Sequence, residues 1–334
     1  MPQPVEQVSH CPSRRVLPTL VCCAFLALCA GQSIAAAPYP ERPIRMLVPN
    51  APGSATDTLG RIVAAGLADV VGQSVLIDNR AGASGLIAME IGRKAVPDGY
   101  TIIYATPALT IAPFLQEKPP FDPVSVFQFV LMLGRTPNAL AVNTQLPVKS
   151  VADLIELSRA KKGQINMASA GAGSQSHLAG AMLLTQGRFE GLHVPYKGAP
   201  AAAASVVSGE SHWILTPAPA ALGLVRAGRL RLIALSLPRR SALLPEVPTI
   251  AETLPGFDYS SWNGIVAPLG VPRATIDALT AALRKTMARA DVRDGMAQQA
   301  TEVELLSGDS FRQVVAATAK QNAALVQALG LKPE

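Results

Sequence analysis

The chain contains little cysteine. All four cysteines lie before residue 30, so the rest of the 334-residue chain has no thiol, which excludes a disulfide framework. The four histidines show no metal-ligand spacing, and we predict neither a metal site nor another cofactor. With 49% hydrophobic and 16% charged residues, the composition also excludes disordered and collagen-like chains.

Clusters of positive charge are also missing. The formal net charge is +6, yet no run of five basic residues occurs. Aromatic residues, on which nucleic-acid bases would stack, make up only 4% of the chain. We therefore predict a solvated basic surface and no nucleic-acid partner.

The N-terminus lacks an apolar run of the length that a membrane span needs. Arg14 and Arg15 precede an apolar run over residues 16–30, and the small residues Ala35 to Ala37 follow. This pattern is typical of a signal peptide, whereas a spanning helix wants about 20 apolar residues. We predict a signal peptide over residues 1–37, cleaved near its last alanines. It would use Sec export or, through its paired arginines, twin-arginine export.

Short runs of branched residues alternate with helical patterns in the chain that follows. The runs at 44–48, 74–77 and 100–104 lie far enough apart for crossover helices, and they predict parallel strands. Between the first two, apolar residues recur at helical spacing from Leu59 to Val70, which predicts an amphipathic helix packed on the sheet. At about 150 residues per domain, the length favours two α/β units.

A second unit is predicted beyond the proline-rich segment 119–123, because prolines cannot continue a helix or a central strand. Ser150 and Asp153 have the spacing of a capping box at the start of a helix. An apolar run lies at 140–142, strands are predicted at 164–169, 192–196, 211–215 and 230–236, a return crossing near 257–266, and helices around 276–287 and 311–318.

Two loops of small residues each join a predicted strand to a predicted helix, which is where ligands bind in open α/β sheets. The first ends at Asp57, and the second runs from Ser169 to His177. A helix N-terminus offers unpaired amides and partial positive charge, so each loop predicts an anion site. The alternative for the first loop is that Ser54 and Asp57 only cap the helix.

Motifs for catalytic chemistry are broken. Ser176 stands at the third glycine position of the dinucleotide fingerprint, which weakens a nicotinamide site. Neither Ser84 nor Ser174 lies in the Gly-x-Ser-x-Gly turn of a serine hydrolase, so a secreted hydrolase is an alternative without its motif. His177 is a candidate partner for a ligand carboxylate or a satisfied residue of the first helical turn, and His193 is predicted to be structural.

Eight further motifs follow one another along nearly the whole chain after residue 38. They are Tyr39-Pro40-Glu41-Arg42-Pro43-Ile44, the Pro-Gly loop that ends in Asp57, Asp78-Asn79-Arg80-Ala81-Gly82, Pro97-Asp98-Gly99-Tyr100-Thr101, Ser169-Ala170-Gly171-Ala172-Gly173-Ser174, His177-Leu178-Ala179-Gly180, His193-Val194-Pro195-Tyr196-Lys197-Gly198 and Leu244-Pro245-Glu246-Val247-Pro248-Thr249. Together they resemble the Bug family, the periplasmic substrate-binding receptors of tripartite tricarboxylate transporters.

The resemblance implies an α/β, two-lobed periplasmic binding protein-like fold of type II, with a ligand cleft between the lobes. Lobe 1 would comprise residues 38–139 and 258–334, and lobe 2 residues 140–257. The protein would be a monomeric, non-enzymatic periplasmic receptor that delivers a small carboxylate to membrane permease subunits. A co-sensor that presents its ligand to a sensor kinase is the alternative.

In that family, backbone amides, helix N-termini and bridging waters hold the ligand carboxylate. Carried onto this sequence, the ligand contacts would come from Ala51, Pro52, Gly53, Ser54, Thr56, Asp57, Thr106, Ser169, Gly171, Gly173, Ser174, His177, Tyr196, Lys197, Gly198 and Thr216.

Three departures from the family pattern fall on predicted pocket walls. Ser54 follows Gly53 where the family usually has a second glycine, and Asn50 stands where an aromatic residue is frequent. The segment 209–212 replaces a Gly-x-Val-Asp pattern. The identity of the ligand therefore does not follow from the resemblance.

Overall fold

The computed structural model describes residues 1–5 and 39–331. The chain divides into two units, Met1–Pro38 and Tyr39–Glu334, and the described residues of the first have no regular secondary structure. The features that predict the signal peptide, including its cleavage site, lie outside the described residues. Within the described part of the chain, no helix combines the length and the apolar character of a membrane span.

Six strands of the second unit form its first sheet. They are β1 (Ile44–Val48), β2 (Val75–Asn79), β3 (Thr101–Ala105), β4 (Gln128–Thr136), β10 (Ser261–Ala267) and β11 (Glu302–Ser307). Their order is β11-β4-β10-β3-β1-β2. Strands β1, β2 and β3 are parallel, as predicted, and β10 runs antiparallel to both of its neighbours.

The helices on this sheet include the predicted amphipathic one. Helix α1 (Ala55–Val71) buries Leu59, Val63 and Leu67, begins at the cap residue Ser54 and ends at Gly72 with φ +70°. Glycine adopts that left-handed conformation without steric cost. The remaining helices of this sheet are α2 (Leu86–Arg93), α7 (Arg273–Ala288), α8 (Ala290–Gln298) and α9 (Gly308–Ala328).

The second sheet has five strands, four of which were predicted, while the fifth contains the apolar run 140–142. They are β5 (Asn138–Asn143), β6 (Gly163–Ser169), β7 (Gly191–Pro195), β8 (Trp213–Pro217) and β9 (Leu230–Leu235), in the order β7-β6-β8-β5-β9. Its helices are α3 (Val151–Ala160), α4 (Gln175–Gly187), α5 (Ala199–Ser208) and α6 (Ala218–Arg226). The predicted capping box of Ser150 and Asp153 is present at the start of α3.

Strands β4 and β11 were not predicted. Strand β4 is buried along most of its length, so its residues show no alternation of apolar and polar character. A short apolar run of that kind cannot be told from a buried helix segment by its period. Strand β11 is half-buried throughout, which leaves it without a buried face of its own.

The chain passes between the two sheets twice, each time at the end of the sheet where its parallel strands finish. It leaves β4 for β5 through Pro137, and it returns from β9 to β10 through residues 236–260. Asn138 pairs with Pro217 at the end of β8, and Ser261 pairs with Thr136 at the end of β4. Since β4 runs parallel to β1 and β3, both crossings lie at the edge where the parallel strands end. The lobe boundaries remain predictions, and the one at 139/140 falls inside β5.

Buried hydrogen bonds join the two crossings. The Asn138 amide donates to the Ser236 hydroxyl at 2.8 Å, and that hydroxyl donates to the Tyr259 carbonyl at 3.0 Å. The Tyr259 hydroxyl in turn donates to Asn322 of α9 at 2.7 Å. These groups tie both connections to the C-terminal helix.

Candidate functional site

The loop between β1 and α1 is folded around the Asp57 carboxylate. One carboxylate oxygen accepts the Gly53 amide at 2.8 Å and Arg61 Nε at 2.9 Å, and the other accepts Asn79 Nδ2 at 2.9 Å. Asn79 Nδ2 also donates to the Asn50 carbonyl at 2.9 Å. The carboxylate therefore fixes both ends of the loop, although the sequence pattern had it reach back only to Ser54.

The charge of Asp57 is stabilised where it lies. Burial by itself raises the pKa of this carboxyl, but the hydrogen bonds from Arg61, Gly53 and Asn79 outweigh burial and leave the pKa below its usual range. Asp57 is 2% exposed and ionised at neutral pH. Its charge faces the loop and Arg61.

Two amides at the start of α1 remain open. The Ser54 hydroxyl accepts the Asp57 amide at 3.2 Å, which confirms the predicted cap. The amides of Ala55 and Thr56, the first two residues of α1, have no hydrogen-bond partner among the described residues. Such donors at a positively polarised helix end suit an anion.

The loops after β1, β2 and β3 lie together. Gly85, in the turn after β2, has φ +94°, and a Cβ there would lie 3.1 Å from Pro49 and 3.6 Å from Ala108. Thr106, 8% exposed, immediately follows β3 and opens the short turn that holds Ala108. Ala51, Pro52 and Gly53 are exposed at this edge.

The second loop, between β6 and α4, is held by neutral groups. The Ser174 hydroxyl donates to the Gly171 carbonyl at 2.7 Å and accepts the His177 amide at 3.3 Å. The Ser176 hydroxyl accepts the Ala170 amide at 2.9 Å. The amides of Ala172, Gln175 and Ser176 have no hydrogen-bond partner in the described ranges.

His177 is engaged by its own loop. Its Nδ1 accepts the Gly173 amide at 3.0 Å, so the neutral ring carries its proton on Nε2. Gly173 has φ +68°, and a Cβ there would lie 2.8 Å from a Leu115 methyl group. This position needs glycine, and Leu115 brings a segment that follows β3 against the second loop.

The remaining predicted residues lie at the ends of β7 and β8. The Tyr196 amide donates to the Ser169 carbonyl at 2.9 Å, and the Gly198 amide donates to the Ala170 carbonyl at 3.2 Å. These contacts bring the 196–198 segment beside the second loop, with Lys197 exposed. Segment 209–212 precedes β8, at the opposite end of that strand from Thr216, and its Ser211 hydroxyl lies 3.1 Å from the Tyr196 hydroxyl.

Two polar groups near the second loop have no partner in the described part of the chain. They are the hydroxyl of Thr216, which is fully buried, and the buried side-chain amide nitrogen of Gln175. A buried polar group without a hydrogen bond costs about 1–3 kcal/mol. Such atoms mark positions at which a ligand or a water molecule would be stabilising.

The structure therefore brings the predicted residues together within each sheet. No hydrogen bond connects residues 51–57 with residues 169–177 in the parts of the chain that are described. Both loops lie at the edges where the crossings run. No group of three or more metal-ligating side chains occurs among the described residues.

Sequence reasoning missed two supporting residues, Asn79 and Gln175, and it predicted a structural role for His193 without indicating its partners. Asn79 meets Asp57 from 22 positions away, Gln175 directly follows the cap Ser174, and His193 lies against His177. Asn79 and His193 each belong to a motif that carries the resemblance, but nothing in either motif indicates which loop its side chain supports. Gln175 offered no signal beyond its place in the first helical turn.

Comparison with sequence families and curated proteins gives one consistent result. A family model described as "Tripartite tricarboxylate transporter family receptor" matches residues 59–331. A UPF0065 protein from the tcbD-tcbE intergenic region of Pseudomonas sp. strain P51 is 33% identical over 298 residues, which cover 87% of this chain and 88% of the relative. Protein BugT of Bordetella pertussis is 32% identical over 302 residues, covering 90% and 93%.

Solved structures show the same relationship. R. palustris Rpa4515 with adipate is 31% identical with a TM-score of 0.78, covering 89% of this chain and 100% of that chain. MatC from Rhodopseudomonas palustris with bound malate is 28% identical with a TM-score of 0.74, covering 86% and 100%. The periplasmic binding protein BugD is 28% identical with a TM-score of 0.75, covering 89% and 100%. These likenesses confirm the predicted two-lobed α/β fold class and the resemblance of the motifs.

Proposed function

Because this chain belongs to the family of tripartite tricarboxylate transporter receptors, we propose that it is a periplasmic receptor for a small carboxylate, which it delivers to the membrane permease of such a transporter. One observation carries the proposal. Each sheet presents, at the edge of the crossings, a helix whose first two amides lack partners in the described residues. A carboxylate would accept those hydrogen bonds.

The ligand class follows from the charge of the two loops. Arg61 is paired with Asp57, and Lys197 is exposed. The ligand charge would therefore be offset by amides and by the two helix dipoles, each equivalent to about half a positive charge. A helix start in each lobe suits a molecule with two carboxylates, and relatives hold adipate and malate.

Lobe closure would assemble this site. We assign residues 38–139 and 258–334 to one lobe and residues 140–257 to the other, with the crossings as the hinge. Closure around a ligand is stabilised only by the difference in affinity between the closed and open states. Thr216 and Gln175 supply unpartnered polar groups for that closed state on the second lobe.

A receptor fits the serine chemistry better than a hydrolase does. The Ser174 hydroxyl bonds to Gly171 and Ser176, not to a histidine ring. Ser169 does meet His193 at 2.6 Å, but Ser169 is fully buried, and no carboxylate orients that imidazole among the described residues. Nucleophilic catalysis needs an accessible hydroxyl and an oriented base.

A thermal-shift screen of mono-, di- and tricarboxylates and amino acids tests the proposal. A ligand at 100 times its dissociation constant should stabilise the protein by about 2.7 kcal/mol. We expect dicarboxylates such as malate or adipate to be among the hits. The absence of any hit, including on refolded ligand-free protein, would contradict the proposal.

Two further experiments test export and transport. N-terminal sequencing of protein from the periplasm checks cleavage near Ala35 to Ala37, and uptake measurements in a strain lacking this protein check delivery.

A further inference from the structure

Two imidazole rings stack beside the second loop. The rings of His177 and His193 have centroids 3.7 Å apart and planes inclined by only 6°. His177 opens α4, whereas His193 lies on the neighbouring strand β7, 16 positions further along the chain. The two rings therefore join the loop after β6 to the next strand of the sheet.

Each ring holds a different part of the loop. His177 Nδ1 accepts the Gly173 amide at 3.0 Å. His193 Nε2 lies 2.6 Å from the Ser169 hydroxyl, which also contacts the amide of Gly171 at 3.2 Å and its carbonyl at 3.1 Å. His193 thus supports the loop twice, through Ser169 at its beginning and through the stacked ring of His177 at its end.

We infer that His193 is a positioning residue, which sets the shape of the 169–174 loop through its stack on His177 and its hydrogen bond to Ser169. Its importance for binding rests on the function proposed above. The stack keeps the Nδ1 of His177 aimed at Gly173, and the hydroxyl contact keeps Ser169 against Gly171. The open amides of Ala172, Gln175 and Ser176 keep their direction only while both contacts are made.

The charge state of the rings agrees with this role. Burial lowers the pKa of both imidazoles, and for His177 the neighbouring ring lowers it further, to about 4. Both rings are therefore neutral at physiological pH. Neutral rings stack without charge repulsion, and a neutral His177 can accept the Gly173 amide, which a protonated ring cannot.

Two substitutions separate the two contacts of His193. His193→Phe retains an aromatic ring for the stack but loses the bond to Ser169, and His193→Gln retains a polar group but loses the stack. His212→Gln is the matched control, because His212 accepts the Asn166 amide at 2.9 Å, away from the loop. Ser169→Ala is a second, smaller change that removes only the hydroxyl contact.

Imidazole nitrogen NMR and amide hydrogen exchange read out the loop directly and require no ligand. In the natural protein we expect His177 to show a single tautomer with its proton on Nε2. His193→Gln should mix the tautomers and speed exchange of the Gly173 amide at least tenfold. His193→Phe and Ser169→Ala should preserve the tautomer and speed exchange at Gly171 instead. The control should change neither amide.

The result that would overturn the inference is a folded His193→Gln protein with the natural tautomer and unchanged exchange at Gly173. Unchanged exchange at Gly171 in folded Ser169→Ala would equally overturn the hydroxyl half. Calorimetry with malate then relates the loop to function, with an expected loss of affinity of about tenfold in His193→Gln. If the natural protein binds no carboxylate, the proposed function fails, while the NMR and exchange results still decide the role of His193.

Discussion

The two ligand loops have the same plan but are supported by opposite chemistry. Both follow a parallel strand, contain glycine, and end at a serine that caps a helix. The first is held by a buried carboxylate with Arg61 and Asn79 around it, and the second by serine hydroxyls and two neutral imidazoles. The open amides at a helix start can therefore be oriented by a charged group or by neutral ones.

The two loops also differ in the pH range over which protonation of their supporting residues lowers stability. The pKa of Asp57 is lowered, so its contribution is lost only as the pH falls below about 3.8, the value of the unfolded carboxyl. The pKa of His177 is lowered as well, but from 6.5. Below about pH 6.5 the unfolded state binds a proton at His177 that the folded state does not. On acidification, His177 therefore begins to lower the free energy of unfolding before Asp57 does.

The largest effect is expected from Asp57→Ala. The substitution leaves Arg61, Asn79 and the Gly53 amide without their shared acceptor, so we expect a loss of about 3 kcal/mol in the free energy of unfolding. Urea denaturation measures it. The control is Asp153→Ala, which removes the half-buried capping-box carboxylate of α3 and should lower the free energy of unfolding by clearly less. Equal losses in the two variants would contradict the conclusion that the Asp57 carboxylate holds the first loop together.

A smaller effect concerns the pH dependence of the second loop. The folded pKa of His177 is about 4, against 6.5 when unfolded, so between these values the unfolded state binds more protons. Stability therefore falls as the pH falls through this window. Between pH 7.5 and pH 4.5 the natural protein should lose about 2 kcal/mol more than His177→Asn does, measured by urea unfolding at both values. Parallel losses in the two proteins would show that His177 is not held neutral.

The smallest effect compares the two helix caps. The Ser54 side-chain oxygen accepts one amide, whereas that of Ser174 accepts an amide and also donates to the Gly171 carbonyl. Ser54→Ala should cost about 1 kcal/mol and Ser174→Ala about 2 kcal/mol in the free energy of unfolding. The reverse order in thermal or urea unfolding would mean that the second loop does not depend on its hydroxyls.

Local patterns made much of this fold predictable. The strands that precede both loops, the helix over Ala55–Val71 and the cap at Ser54 follow from spacing and propensity over a few residues. The contacts that orient the loops do not, because Asn79 and His193 reach them from 22 and 16 or more positions away. Strand β4 was not predicted for another reason. Because it is buried along most of its length, its sequence has no alternation of apolar and polar residues to detect.

Proline substitution at the first residue of a helix tests most directly whether helix-start amides hold the ligand. Proline there removes one amide donor and keeps a helical φ. Ala55→Pro removes an open amide of the first loop, and Ala290→Pro makes the same change at the exposed start of α8. Both preceding residues are already extended, with ψ 161° and 140°, as a residue before proline prefers.

The decisive measurement is calorimetric titration of these two variants and the natural protein with a carboxylate that stabilises the natural protein in the thermal-shift screen. We predict that Ala55→Pro weakens binding by at least tenfold, as expected for one hydrogen bond to a charged group, and that Ala290→Pro binds like the natural protein. Equal affinity in the Ala55→Pro and Ala290→Pro proteins would contradict a site built on the helix start of the first loop.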